Sequence, residues 1–158
     1  MTKLLRGRFD CKVDAKGRLS LPSALRSQLP ASTSSKPVNL VITNSLFKNR
    51  KCLDVYPEEE WKKLEKRIAA LPSLKVEVQA YQRFYLSAGQ PIELDGHHRM
   101  LVPQTLRKFA GVEEDIVVIG MGSKFEIWPA SIWLSLQEEL SQQFDDIQAA
   151  VAALEEAE

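Results

Sequence analysis

The chain has 158 residues, of which 44% are hydrophobic and 27% charged, and its 21 Lys and Arg balance its 21 Asp and Glu. These proportions are typical of a globular protein and exclude a collagen-like or disordered chain. The balance conceals a division: residues 1–124 carry 21 basic and 13 acidic side chains (+8), whereas residues 125–158 carry eight acidic and no basic ones (−8).

The first half of the chain predicts short strands alternating with helices. Apolar and polar residues alternate over 8–13, and a tight turn at 14–17 leads to a short returning strand. Gly17 occupies the position of the turn most likely to require a positive φ, which glycine adopts without steric cost. The predicted elements are strands at 8–13, 18–21, 38–43 and 51–56, and helices at 23–29 and from Pro57 onward, the latter with Trp61, Leu64, Ile68 and Leu71 on one face.

The second half predicts the same order of elements. A helix over 74–86 joins the halves, with Val78, Tyr81, Phe84 and Tyr85 as its apolar side. Strands follow near 90–95, 99–102, 116–120 and 124–128, and helices begin at Pro103 and Pro129. The last helix is expected to continue into a segment rich in Ala and Glu that ends the chain.

The likeness of the halves is an internal repeat. Residues 14–22 (DAKGRLSLP) recur as 95–103 (DGHHRMLVP), 81 positions later, and Leu-Arg follows each at the same offset. The matches at 55–57 and 127–129 are 72 positions apart, so the first copy holds nine extra residues. Their composition places the insertion in two loops, 30–37 and 47–51. The chain is therefore read as two copies of one unit.

Each copy carries the motif Asp-x-x-x-Arg in its turn. Asp14 precedes Arg18 as Asp95 precedes Arg99, and an Asp four residues before an Arg can hold the guanidinium as a bidentate pair. Such an arginine suits guanine recognition in a DNA major groove or the clamping of phosphates, and Lys16 beside it supports a nucleic-acid role. The alternative is that the pairs only fix the hairpins and hold an oligomer together.

Other classes of protein find little support in the sequence. His97 and His98 are expected to be solvated or phosphate-contacting turn residues, with a metal site or proton transfer as the weaker alternative. No phosphate loop, nucleophile elbow or paired-cysteine motif is present, so we expect no enzyme, no metal and no cofactor. No apolar run approaches the roughly 18 residues of a membrane span, and the first ten residues lack a secretory signal. With Cys11 and Cys52 unpaired in sequence, a cytoplasmic protein with reduced thiols is expected.

At the repeat, the chain resembles the MraZ family of bacterial transcription regulators. The resemblance covers residues 5 to about 134 and rests on 14–22 with its second copy, on 55–61, on Arg83-Phe84-Tyr85 and on Glu126-Ile127-Trp128. It implies an α+β fold of tandem duplicated AbrB-like β-barrel units, related to the swapped-hairpin domain, with short strands each followed by helices. The implied boundaries are 5–72 and 89–134 for the units, 73–88 for a linking helix and 135–158 for an acidic helical tail.

The resemblance also implies a function. The family members form a homo-oligomeric ring that binds short G-rich direct repeats in double-stranded DNA, in the promoter of the division and cell-wall gene cluster that includes their own gene. A cytoplasmic, nucleoid-associated protein without a membrane or small-molecule partner follows. The DNA-binding residues that the family motif implies here are Arg18, Lys16, Arg99, Asp14, Asp95 and His98.

Several alternatives stay open at this point. A non-catalytic structural or scaffold ring in cell division is the competing function. Repression or activation, the operator bases, the number of subunits and the role of the acidic tail are undecided. His98 stands where the family usually has Gly, so the two turns need not contact DNA equally.

Overall fold

The computed structural model describes residues 4–30 and 37–157. The first predicted insertion, in residues 30–37, lies mostly outside these described residues. The elements of the first half are β1 (Arg8–Lys12), β2 (Arg18–Ser20), α1 (Ser23–Arg26), β3 (Asn39–Phe47), β4 (Arg50–Pro57), α2 (Glu58–Ala69), α3 (Val76–Tyr81) and a π-helical turn (Gln82–Leu86). Those of the second half are β5 (Gln90–Glu93), β6 (Arg99–Leu101), α4 (Gln104–Ala110), β7 (Asp115–Gly120), β8 (Phe125–Pro129), α5 (Ala130–Gln142) and α6 (Phe144–Glu156).

Strands of the two copies interleave in one antiparallel sheet. Its order is β1-β7-β8-β4-β3-β5, and β2 pairs with β6 in a separate two-stranded sheet. The order is symmetric, because each strand of the first copy and its counterpart in the second lie at mirrored positions. The molecule is thus mixed α+β, as predicted. The predicted β-barrel is corrected in one respect: among the described residues the large sheet stays open, with β1 and β5 at its edges.

The main core lies where the sheets meet. Leu19 of β2 is paired with Met100 of β6, and both side chains are fully buried. Around them pack apolar residues from both copies, including Leu25, Leu40, Val102, Leu106, Val118 and Ile127. Burial of one such side chain stabilises the fold by about 1.5–3 kcal/mol. Each copy supplies part of this core, so neither half buries it alone.

Four of the helices are each preceded directly by a proline. Pro22, Pro57, Pro103 and Pro129 each have φ between −57° and −55° and an extended ψ, and each helix begins at the next residue. The predicted helix starts are therefore confirmed, with the proline one position earlier than the first helical residue. Of the predicted face of α2, Trp61 and Leu64 are buried, whereas Leu71 lies beyond the helix and is exposed.

The predicted loop at 47–51 is instead the tip of a long hairpin. β3 runs to Phe47 and β4 begins at Arg50, so Lys48 and Asn49 form a two-residue turn. Their φ angles are 49° and 62°, which is the left-handed geometry that matches the twist of a hairpin. Polar residues such as Lys48 and Asn49 occur both in loops and in two-residue turns, so composition does not distinguish the two.

Two predicted helices are interrupted. The helix over 74–86 begins at Val76 and changes to π geometry at Gln82, and of its predicted apolar side only Tyr85 is buried. The last helix is not continuous either: it breaks at Gln143, where φ is −102° and ψ is 3°. Helix propensity is high on both sides of that residue, so composition alone gave no sign of the break.

An ion pair between the buried Asp54 and the partly buried Lys124 joins the two copies at the centre of the sheet. Asp54 of β4 is fully buried, and Lys124 donates a 2.8 Å hydrogen bond to its Oδ2 atom. Tyr85 also donates to this carboxylate, and Glu126 lies opposite Asp54 across the β4–β8 ladder. Burial opposes the charge of Lys124, but its pKa is raised because Asp54 outweighs that cost. The pKa of Glu126 is raised chiefly by burial.

Lys124→Met is expected to lower the free energy of unfolding by about 3–5 kcal/mol, because it leaves Asp54 as an unpaired buried charge. Urea unfolding measures the loss. Lys62→Met is the control, since Lys62 makes an exposed ion pair with Glu58 at 3.5 Å and should change stability by less than about 0.5 kcal/mol. Adding Asp54→Asn to Lys124→Met should recover much of the loss; equal effects of Lys62→Met and Lys124→Met would contradict the account.

Candidate nucleic-acid interface

The first turn is organised by the carboxylate of Asp14. Its Oδ1 atom accepts hydrogen bonds from the backbone N–H groups of Lys16 and Arg18, both at 2.9 Å. Its Oδ2 atom accepts from Nε of Arg18 at 2.8 Å. Among the described residues, the two terminal nitrogens of this guanidinium have no partner. The turn therefore aims a fixed arginine fork, with its outer donors free, at the surface.

The second turn repeats this geometry. Asp95 Oδ1 accepts from the backbone N–H groups of His97 at 2.8 Å and Arg99 at 3.0 Å, and Oδ2 accepts from Arg99 Nε at 3.0 Å. The side chains of Arg18 and Arg99 are 32% and 28% exposed, so both are equally available. The predicted contact between Asp and Arg is present in each motif, but the predicted bidentate pair is not: Oδ2 accepts from Nε of the arginine, whereas Oδ1 accepts backbone N–H groups.

Both carboxylates stay ionised in this arrangement. Backbone N–H donation by Arg18 is the largest cause that lowers the pKa of Asp14, and Arg99 acts in the same way on Asp95; burial opposes both shifts. Because the pKa of each aspartate is lower in the folded than in the unfolded chain, its ionised form stabilises the fold at pH values above the unfolded pKa of about 3.8. This stabilisation is lost as the pH falls through the lower pKa of the folded state. At neutral pH both arginines are thus held by a full negative charge.

The residue before each arginine adopts the left-handed conformation. Gly17 has φ of 86°, as the sequence predicts, and His98 has φ of 60° at the equivalent position. A side chain at such a φ costs about 1–2 kcal/mol, although His tolerates it better than most residues. The substitution of His for Gly therefore leaves the shape of the second turn unchanged. It places an imidazole where the first turn has none.

The pairing of β2 with β6 brings the two turns together. Gly17 O accepts a 2.8 Å hydrogen bond from Val102 N, and His98 O accepts a 3.2 Å bond from Leu21 N. Each turn is thus tied to the strand end of the other copy. The two arginines belong to one rigid surface because the ladder between β2 and β6 carries both.

Two further arginines flank the turns and were not among the predicted site residues. Arg107 packs against Gly17 and donates from Nε to Val102 O at 2.9 Å. Its repeat counterpart Arg26 lines a cleft of about 260 Å³ together with His98. The signal was present in the sequence, since Leu-Arg follows both motifs at the same offset. Each turn therefore has an arginine from the helix of its neighbouring copy beside it.

The two surroundings differ in charge. The cleft of about 500 Å³ beside Asp14 is lined by Arg107 but also by Glu113 and Glu114. Lys12 partly offsets these acids, since its Nζ lies 3.7 Å from Glu114 and 2.8 Å from Asp115. Among its described lining residues, the cleft beside His98 holds Arg26 and no acid. Only the first turn, however, carries a lysine at its tip.

The weaker metal alternative is not supported at the second turn. Asp95 uses both oxygens on backbone and arginine donors, and among the described residues it forms no close group with His97 and His98 that could hold a metal ion. The described group with suitable ligand spacing is instead Cys52, Asp54 and Glu126, in the central strands. There the ammonium of Lys124 already supplies the positive charge.

The fold and these turns define a class: internally duplicated α+β proteins in which two copies exchange strands and present paired Asp–Arg turns. No helix in the described part of the chain combines the length and apolar character that crossing a membrane requires. A sequence profile of the MraZ family, described as "MraZ protein, putative antitoxin-like", matches residues 4–84 and 86–154. The chain belongs to the MraZ family.

Curated relatives agree with this assignment. Three proteins, each named transcriptional regulator MraZ, come from Heliobacterium modesticaldum, Halorhodospira halophila and Thioalkalivibrio sulfidiphilus. They are 37%, 38% and 33% identical over 141, 130 and 152 residues. The alignments cover 89%, 82% and 96% of this chain and 92%, 82% and 97% of the relatives.

Gly17→Ala is expected to lower the free energy of unfolding by about 1–2 kcal/mol, because the residue has a positive φ and its new methyl group would lie 2.6 Å from Arg107 Cζ. Gly96→Ala is the control, since nothing lies within 4 Å of that position and its φ is not in the left-handed region. Denaturant unfolding of both variants measures the difference. A Gly96→Ala loss as large as that of Gly17→Ala would show that the left-handed position does not set the shape of the turn.

Proposed function

We propose that this protein is a DNA-binding transcription regulator whose paired turns recognise short G-rich sequences. The observation that carries the proposal is the pair of equivalent arginines, each held through Nε by an aspartate and each with terminal nitrogens that no described residue contacts. The names of the relatives, transcriptional regulators, point to the same class. No catalytic step is part of the proposal.

Arg18 and Arg99 are the base-reading residues in this proposal. A guanidinium can donate two parallel hydrogen bonds to O6 and N7 of guanine in the major groove, which is the commonest specific contact of arginine with DNA. Asp14 and Asp95 act as positioning residues, because they restrict the arginine side chain before DNA arrives. A fork ordered in advance loses less conformational entropy on binding.

The remaining residues of the turns contact the phosphates. Lys16 projects from the tip of the first turn, and in the second turn His98, at the position equivalent to Gly17, adds an imidazole next to Arg99. Arg26 and Arg107, beside the turns, extend the basic surface on either side. Because Glu113 and Glu114 lie near the first turn, Lys16 there compensates for a less favourable local potential.

The proposed assembly is a homo-oligomeric ring. One chain would present two turns as one reading head, and several chains in a ring would present successive heads to direct repeats in the promoter of the division and cell-wall gene cluster, including the gene for this chain. The duplicated AbrB-like units would then comprise 5–72 and 89–134, joined by 73–88 and followed by the acidic tail 135–158. Such a protein would act in the cytoplasm at the nucleoid.

The test is fluorescence anisotropy with duplex DNA from upstream of the protein's own gene, across a series of salt concentrations. Specific binding that weakens steeply as salt rises supports the proposal, because phosphate contacts release counterions. A scrambled duplex of equal composition is the control. Equal affinity for both duplexes at low salt, or no binding to either, would favour the structural ring that the sequence leaves as an alternative.

Arg18→Ala and Arg99→Ala are each expected to weaken specific binding by about 1–3 kcal/mol per contact and to reduce discrimination against the scrambled duplex. Lys16→Ala should instead weaken binding to both duplexes alike and lower the salt slope by about one. Arg67→Ala, at the end of α2 and away from the turns, is the matched control. Light scattering accompanies each variant: loss of binding that tracks loss of assembly would show that the turns serve assembly.

A further inference from the structure

In the first half of the molecule, a groove between α2 and the sheet is filled by the π-helical turn. Tyr85 of that turn packs with Val41, Trp61 and Leu64 and is 7% exposed. Its ring centroid lies 6.2 Å from that of Trp61, and its carbonyl oxygen accepts a 2.6 Å hydrogen bond from Thr43. The segment that follows α2 in the chain thus returns to cover the groove that α2 forms.

The second half forms the same groove and leaves it open. In the first half Val41 lies between Tyr56 and Pro91 of the adjacent strands; in the second, Val117 lies between Trp128 and Asp10 at the equivalent registers. The open groove, between α5 and the edge strand β1, has a volume of about 420 Å³. Residues lining it include Arg8, Phe9, Val117, Trp133, Leu134 and Gln137.

The helix that should cover this groove by symmetry is α6, because it follows α5 as the π-helical turn follows α2. Yet α6 has no buried residue. Phe144, Val151 and Leu154 are 55%, 50% and 70% exposed, and with Ile147 their spacing of three, four and three residues puts them on one helix face. Within residues 4–30 and 37–157, an apolar groove is therefore unfilled and an apolar helix face is without a partner.

The chain connection prevents α6 from filling the groove of its own subunit. Twelve residues, 70–81, separate α2 from the π-helical turn and let the chain reverse. Only Gln143 separates α5 from α6, whereas antiparallel helix pairs need connections of about two to five residues. The groove lies beside Ala130, Trp133 and Gln137, in the N-terminal part of α5. The helix α6 begins at the opposite, C-terminal end of α5, so it starts away from the groove.

We propose that α6 of a second copy of this chain docks in the groove between α5 and β1. Both Arg8 and Asp10 line the groove, and Arg8 lies 5.7 Å above the Trp133 ring. Arg8 is the groove residue that can pair with this occupant, since the charged residues of α6 are all acidic: Asp145, Asp146, Glu155 and Glu156. The contact joins unlike surfaces, so it is head-to-tail and propagates from copy to copy until a ring closes. It uses none of the turn residues, so its failure and that of DNA binding are separable.

Sedimentation velocity on the full chain tests the proposal with exposed positions. Val151→Asp/Leu154→Asp changes the helix face, and Leu134→Asp, at a residue 64% exposed, changes the groove. Each should reduce the assembly to the 17.8 kDa monomer with an unchanged circular dichroism spectrum. Leu74→Asp is the control, since Leu74 is 88% exposed and belongs to neither surface, and it should leave the assembly intact.

An equimolar mixture of the two defective variants gives the sharpest result. One retains the groove and the other retains the helix, so together they form one intact contact, and a species of twice 17.8 kDa is expected. A mixture that stays monomeric, an assembly that survives Leu134→Asp, or a monomeric parent chain at micromolar concentration would each overturn the proposal. Pairing of α6 with α6 would be revealed by loss of assembly in the helix variant alone.

Discussion

The antiparallel pairing of β2 with β6 is the contact on which the rest of the molecule depends. It joins the second strand of one copy to the second strand of the other, so Leu19 and Met100 meet at its centre and are fully buried. The same pairing sends the first strand of each copy to the far edge of the large sheet, beside strands of the other copy. A single first repeat would lack the strand partners of β1 and β2, and it would lose part of the shared core. The two copies therefore form one folded unit rather than two separate domains.

The turns proposed to contact DNA lie where this pairing leaves charge at the surface. Each aspartate satisfies the backbone of its own turn and restrains an arginine, so the geometry that makes the turn also orders the side chain proposed to contact DNA. The ion pair of Asp54 and Lys124 has a different role, because it neutralises charge inside the sheet where the two copies meet. Polar interactions therefore orient the arginine side chains at the turns and match the copies at the centre of the large sheet, while the apolar core supplies most of the stability.

Much of this structure follows from local sequence. The repeat, the two tight turns, the helices after prolines and the Asp–Arg contacts all depend on residues close together in the chain, and the sequence predicts them. Interleaving of the strands could not be predicted, because alternation shows that a strand exists but not which strand pairs with it. The Lys48–Asn49 turn, the break at Gln143 and the charge partner of Asp54 likewise depend on tertiary contacts. Arg26 and Arg107 were visible in the repeat, yet only the fold places each beside the other copy's turn.

The central claim is that the paired turns form the surface that meets DNA, and hydrogen-exchange mass spectrometry with and without the specific duplex tests it most directly. The account predicts that slowed exchange on DNA binding concentrates in peptides containing residues 14–18 and 95–99, with equal protection of the two copies' strands β2 and β6 behind them. Protection confined to helix α2, with both turns unchanged at saturating DNA, would contradict it.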